Sequence, residues 1–169
     1  MSYVCSCCGQ THDDLPDVGF DRPVYAHDVP EDERGKRVRL GSDLCVVDDE
    51  HYFVRGLVEI PVHGHPETLG VGVWVSQKRD NFEAYKEHFD SAEIGPFFGW
   101  LSNAFDFGGE PALNLRTMAH FRGDGLRPNI EVEPTDHPLA VAQRGGISLD
   151  EAWAFVHAHL GPSPSQSAE

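Results

Sequence analysis

The chain is predicted to fold as an α+β domain, a mostly antiparallel sheet of about five strands with two or three helices packed on it, plus a loop-rich zinc-knuckle N-terminal lobe. Three observations predict it. Runs dense in β-branched and aromatic residues, bounded by turn residues, fill the middle of the chain. The clearest helical pattern comes last, at Ser148 to Leu160. The N-terminus carries Cys5-x2-Cys8-Gly9 followed by His12, the spacing of a zinc knuckle. The length of 169 residues suits one domain with a core that needs no metal or disulfide for basic stability. That domain is expected to span 1–160, with a metal-binding lobe at 1–39 and the α+β core at 40–160.

Residues 10–39 are rich in Pro, Asp and Glu and show neither period, so they read as loops. Within them Pro30-Glu-Asp-Glu-Arg34 suits a short helix, with proline in the first turn and acids favoured by the helix dipole. Strands are expected at Leu44–Val47, Tyr52–Val62 and Gly70–Ser76, the first two joined by the turn at Asp48 to His51. Asp80-Asn-Phe-Glu83 resembles a capping box, and Phe82, Tyr85 and Phe89 recur at helical spacing, predicting a helix over 81–89. The aromatic segment Gly95 to Asn103 is too broken to assign. It is expected to pack on the face of the third strand that carries Gly70, Gly72 and Trp74. Alternation predicts strands over Leu113–Phe121 and Asn129–Glu133, after which Asp136 caps a helix beginning at Pro138. Ser148-Leu-Asp-Glu151 is a second capping box, and Leu149, Ala152, Trp153, Val156 and Leu160 form one apolar stripe. Residues 161–169 lack a basis for packing and read as a disordered tail.

Two thiolates separated by two residues can hold one tetrahedral cation, and the following glycine lets the turn curl around it. His12 supplies a third ligand and Cys45 a fourth, giving a structural Cys3His zinc site; Cys7 is an alternative to Cys5 or Cys8. The opposed reading is free thiols with Cys45 as a small core residue. His63 and His65 fit a polar hairpin tip, and His157 and His159 are two apart and cannot chelate together. On the fourth strand, Asn114, Arg116, Met118, His120 and Arg122 share one face, a basic stripe best explained by pairing with Glu131 and Glu133 next door. Asp136 beside His137 is a candidate acid–base pair, with His120 and Arg122 as neighbours if the four converge. No nucleophile elbow, phosphate loop, metalloprotease helix or dinucleotide fingerprint occurs.

A formal charge of −15 disfavours nonspecific binding to nucleic acid or anionic membrane and suits a basic protein partner, although acidity also simply keeps a protein in solution. The start has no leader pattern and no apolar run reaches spanning length, so the chain is expected to be cytoplasmic.

The blocks Cys5-x-x-Cys8-Gly9-x-x-His12, Ser42 to Asp48, Gly72-Val-Trp74-Val-Ser76, Phe98-Gly-Trp100-Leu-Ser-Asn103, Glu133 to Leu139, Gln143-Arg144 and Gly146-Ile-Ser148-Leu resemble the bacterial domain of unknown function 2199 family. The resemblance spans Tyr3 to Leu160 and implies a small bacterial protein without an established activity. It also implies cysteines at Cys5, Cys8 and Cys45 with histidine at His12, and shared positions at His120 and His137 but not at His63 and His65.

Three functions are compatible with these observations. The first is a binding or regulatory module for a basic protein partner. The second is an enzyme or small-ligand binder using His120, Arg122, Asp136 and His137. The third is an accessory module with no ligand besides zinc.

Overall fold

The computed structural model describes residues 3–4, 9, 11–12 and 14–160, the side chains of Tyr3 and His12 excepted. The elements in chain order are β1 (Tyr3–Val4), β2 (Thr11–His12), β3 (Val18–Gly19), α1 (Val24–His27), a 3-10 turn (Glu31–Glu33), α2 (Arg34–Arg37), β4 (Val38–Leu40) and β5 (Leu44–Val47). There follow β6 (His51–Ile60), β7 (Leu69–Gln77), α3 (Arg79–Glu87), β8 (Phe97–Trp100), β9 (Asp106–Phe107), β10 (Glu110–Pro111), β11 (Arg116–His120), β12 (Asn129–Val132), α4 (Pro138–Gly145) and α5 (Leu149–Leu160).

The expected mostly antiparallel sheet of about five strands is corrected to a mixed sheet of eight, in the order β3-β7-β6-β12-β11-β8, with β4 and β5 joining through β6. Two pairings are parallel, β12 with β6 and β3 with β7. Local alternation marks a strand but not its neighbour, and both parallel partners are remote in sequence. Five α-helices occur among the described residues rather than two or three. The zinc-knuckle lobe is likewise not part of the observed fold: among the described residues, no group of three His, Cys, Asp or Glu side chains could hold a metal.

Strand β6 is long enough to serve two neighbours along one edge, β5 beside His51 to Val54 and β12 beside Leu57. Gly56 lies where they meet, and a Cβ there would fall 2.5 Å from the Ile130 side chain. The sheet then curls until the segment after β8 returns to β7. An antiparallel bridge joins Val75 to Leu101, the Ser102 amide donates to the Trp74 carbonyl at 2.8 Å, and the Trp100 amide donates to Ser76 Oγ at 2.9 Å. Asn103 completes this seam, accepting from the Trp74 amide at 2.7 Å and donating to the Arg22 carbonyl at 2.8 Å. Gly99 is required there because its Cβ would sit 2.2 Å from the Ser76 carbonyl oxygen. Backbone cannot step aside as a flexible side chain can. Gly99→Ala is therefore expected to cost about 1–3 kcal/mol, read as a lowered melting temperature; an unchanged melting temperature would mean the seam is not closed in solution.

One face of the sheet and helices α3, α4 and α5 share a single core, with Val54, Val58, Val71, Val73, Leu101, Ile130, Leu139 and Trp153 among its members. Helix α5 starts at the predicted capping box: the Glu151 amide donates to Ser148 Oγ at 3.1 Å, and the Ser148 amide reaches back to Glu151 at 3.4 Å. Helix α4 is capped by His137, not Asp136, its Nδ1 accepting from the Leu139 amide at 3.0 Å. Helix α3 starts two residues before the expected Asn81 and has no side-chain cap at Lys78. The opposite face of the sheet carries a smaller cluster, in which Cys45, Val47, Phe53 and Trp74 pack under Ala26 and Val29 of the α1 segment.

Candidate functional site

That second face is covered unevenly, and the difference locates a candidate binding surface. The α1 segment lies over β5, β6 and β7, whereas the same face of β8, β11 and β12 has no such cover among the described residues. Alternation along β8 turns Phe97 and Gly99 inward and leaves Phe98 and Trp100 outward, 40% and 41% exposed. For two large aromatic rings side by side this is unusual, since free exposure of such area costs favourable burial. The rings meet edge to face at 5.1 Å between centroids, and the Arg116 guanidinium lies 5.4 Å from the Trp100 ring centre. In register, Met118 stands opposite Phe98 and Arg116 opposite Trp100, so the surface continues onto β11.

A hollow of about 200 Å³ opens here, lined by Phe98, Arg116, Thr117, Met118, Glu131, Glu133 and Pro134. Its floor is apolar and two carboxylates stand at its side. Glu131 is already engaged, accepting from His120 Nε2 at 2.9 Å and from Arg144 at 3.3 Å. The His120–Glu131 contact is one instance of the cross-strand pairing anticipated for the basic stripe, whereas Arg116 lies over Trp100 and Arg122 faces Glu59. The expectation that Phe98 and Trp100 pack on the Gly70–Trp74 face is corrected: Trp74 is buried among Phe53, Cys45 and Val47, and its indole donates to the Phe20 carbonyl at 2.9 Å.

The proposed acid–base group is drawn to separate elements. His120 serves Glu131 on β12, while Arg122 donates to the Arg127 carbonyl at 2.8 Å and faces Glu59 of β6 at 3.5 Å. His137 caps α4 through one ring nitrogen and donates to the Pro111 carbonyl at 3.0 Å through the other, fixing its tautomer; Asp136 is exposed. Nothing brings the four to one point. The turn histidines are structural as well, since His63 donates to the Gly145 carbonyl at 2.7 Å and His65 accepts from the Glu67 amide at 3.0 Å.

Of the metal-ligand candidates, Cys5, Cys7, Cys8 and the side chain of His12 lie outside the described residues. Cys45 is fully buried in an apolar setting, which pushes its thiol up to about 11. It borders an open groove of about 720 Å³ between the β4–β5 hairpin and α3, where Arg39 already pairs with Asp49.

Sequence reading noticed the aromatic segment but could not orient it. The usable signal was the alternation of Phe97, Gly99 and Leu101 against Phe98 and Trp100, which reads as one inward and one outward row once a strand is assumed. The blocks Gly72 to Ser76 and Phe98 to Asn103 are the two sides of the seam.

No described helix is long and apolar enough to cross a membrane. No curated protein and no solved structure matches the chain. A family model does, over residues 4–147, described as an uncharacterized protein conserved in bacteria, and the extent of that match shows that the chain belongs to the DUF2199 family.

Proposed function

We propose that the protein is a binding module whose recognition surface is the outer face of β8 and β11, and that its partner is a basic protein segment presenting an apolar side chain. The observation that carries this reading is the pair Phe98 and Trp100, each about two-fifths exposed beside a hollow flanked by Glu131 and Glu133. Aromatic, Met and Arg side chains grouped on a bare face make the kind of surface that forms interaction hot spots. A chain charge of −15 favours a cationic partner through long-range attraction. Selection from a randomised peptide library tests it. Binders are expected to combine Lys or Arg with a large apolar residue and to weaken as salt rises. Acidic binders, or binding indifferent to salt, would refute the partner assignment.

A metal at Cys5, Cys8 and His12 is a second proposal, supported by one feature of the described residues. Strands β1 and β2 pair Tyr3 with His12, Cys5 and Cys8 stand between these strands in the sequence, and Gly9 has φ +73°, a left-handed conformation that glycine adopts without strain. Cys45 is left out of this set because it is enclosed by Ala26, Val29, Phe53 and Trp74. Elemental analysis is expected to find about one zinc per chain in the wild type and in Cys45→Ser, and none in Cys8→Ser. A wild type free of metal would overturn the proposal, and loss of metal in Cys45→Ser would restore the buried thiol as a ligand.

A further inference from the structure

We propose, on the reading that the β8–β11 face is the recognition surface, that Glu133 rather than Glu131 selects the partner's basic side chain, taking it as an ion pair beside the apolar residue that fills the hollow. The outward side chains of this face stand in two cross-strand rows. Phe98 of β8, Met118 of β11 and Glu131 of β12 form the first, and Trp100, Arg116 and Glu133 form the second. The second row follows because the Glu133 amide donates to the Arg116 carbonyl at 2.9 Å, which continues the antiparallel register one step past Thr117 and Val132.

The two glutamates are unequal. Glu131 accepts from His120 Nε2 at 2.9 Å and from Arg144 at 3.3 Å, so its charge is compensated within the fold. Glu133 stands across the ladder from Arg116, the placement in which opposite charges ordinarily pair, yet among the described residues its carboxylate has no hydrogen bond or ion pair. Trp100 is the reason. The Arg116 guanidinium lies 5.4 Å from the Trp100 ring centre, where the negative face of the ring holds a cation, and is drawn toward β8 instead of β12.

An unpaired carboxylate on an open surface is simply hydrated. Glu133 differs because it lines the hollow of about 200 Å³, whose other walls include Phe98, Met118 and Pro134. That volume is below the range of small-molecule sites and suits a single side chain. Once an apolar side chain fills the hollow, water is displaced from beside Glu133, and the attraction between its carboxylate and a cation strengthens. A partner bringing the apolar residue alone would leave the carboxylate partly desolvated and unpaired, a cost that selects for Lys or Arg next to the anchor. Arg116 confines that cation to the β12 side of the hollow, since a basic residue over Trp100 would meet like charge.

The test crosses protein charge with peptide charge. The tightest peptide selected on the parent is titrated against the parent, Glu133→Gln and Glu133→Lys, alongside the same peptide with its basic residue next to the apolar anchor replaced by Glu. Glu133→Gln is expected to bind the basic peptide roughly fivefold more weakly. Glu133→Lys is expected to bind it at least about tenfold more weakly and to gain affinity for the Glu-bearing peptide. Glu87→Lys, at the end of α3 on the other face of the sheet, alters net charge equally and is expected to stay within about twofold of the parent. Selected peptides lacking a basic residue next to the anchor, unchanged affinity in Glu133→Gln, or equal losses in Glu133→Lys and Glu87→Lys would overturn the proposal. Binding that survives Phe98→Ala combined with Trp100→Ala would overturn the recognition face and this role together. Binding that needs both rings but ignores Glu133 would overturn the role alone.

Discussion

Trp74→Ala is expected to destabilise the fold by about 3–5 kcal/mol, the range for removing a buried tryptophan and leaving a cavity. The side chain is fully buried on the central strand β7 and is the largest member of the cluster formed with Ala26, Val29, Cys45, Val47 and Phe53. Three further interactions end with it. The indole donates to the Phe20 carbonyl at 2.9 Å, its ring lies 5.6 Å from the Arg55 guanidinium, and its bulk holds the α1 segment on the sheet. Burial already lowers the Arg55 pKa from its ordinary value, so removing the ring beneath it withdraws one of the few contacts that compensate a partly buried cation. In a chain of this size the loss corresponds to a fall in melting temperature of roughly 10 °C. Trp74→Phe separates the causes. It retains most of the apolar area but orphans the Phe20 carbonyl, for an expected cost of about 1–3 kcal/mol. A Trp74→Ala protein melting within about 2 °C of the parent would show that the α1 segment is not anchored as described.

The second large effect concerns recognition. Phe98→Ala combined with Trp100→Ala is expected to abolish measurable binding of peptides selected on the parent, because a central aromatic typically contributes about 2 kcal/mol, or roughly thirtyfold in affinity, and two are removed. Stability is expected to change little by comparison. Both rings are already about two-fifths exposed, and the inward residues of the same strand, Phe97 and Gly99, are untouched. The edge-to-face contact between the rings couples them, so the single variants are not expected to add up to the double. Met118→Ala should weaken binding less, since Met118 lines the floor of the hollow beside Phe98. Preserved affinity in the double variant would remove this face from the account.

Much of the sheet was legible because its central strands are long and patterned. Leu44–Val47 is found at the predicted bounds, and the strands expected at 52–62, 70–76 and 129–133 shift by one or two residues at their ends. The fourth predicted strand is shortened at its start, because Asn114 takes a positive φ and ends the extended run before Arg116. Strands β3, β4, β9 and β10 have two or three residues each, too few for alternation to register. The cap of α4 was misplaced by one position because a histidine ring nitrogen did what an aspartate oxygen was expected to do. The candidate site was the least legible part. Whether Phe98 and Trp100 are covered depends on where α1 lies, and α1 is a four-residue helix in a segment whose composition resembles loop.

The central claim is that the bare β8–β11 face is where the protein meets a cationic partner. Its most direct test is an amide chemical-shift map of the isotopically labelled protein titrated with a selected Lys- or Arg-containing peptide. Shifts concentrated at Phe98, Trp100, Arg116, Met118 and Glu133, and weakened by added salt, are the predicted result. Shifts confined to the groove between the β4–β5 hairpin and α3, with the β8–β11 face unmoved, would contradict it.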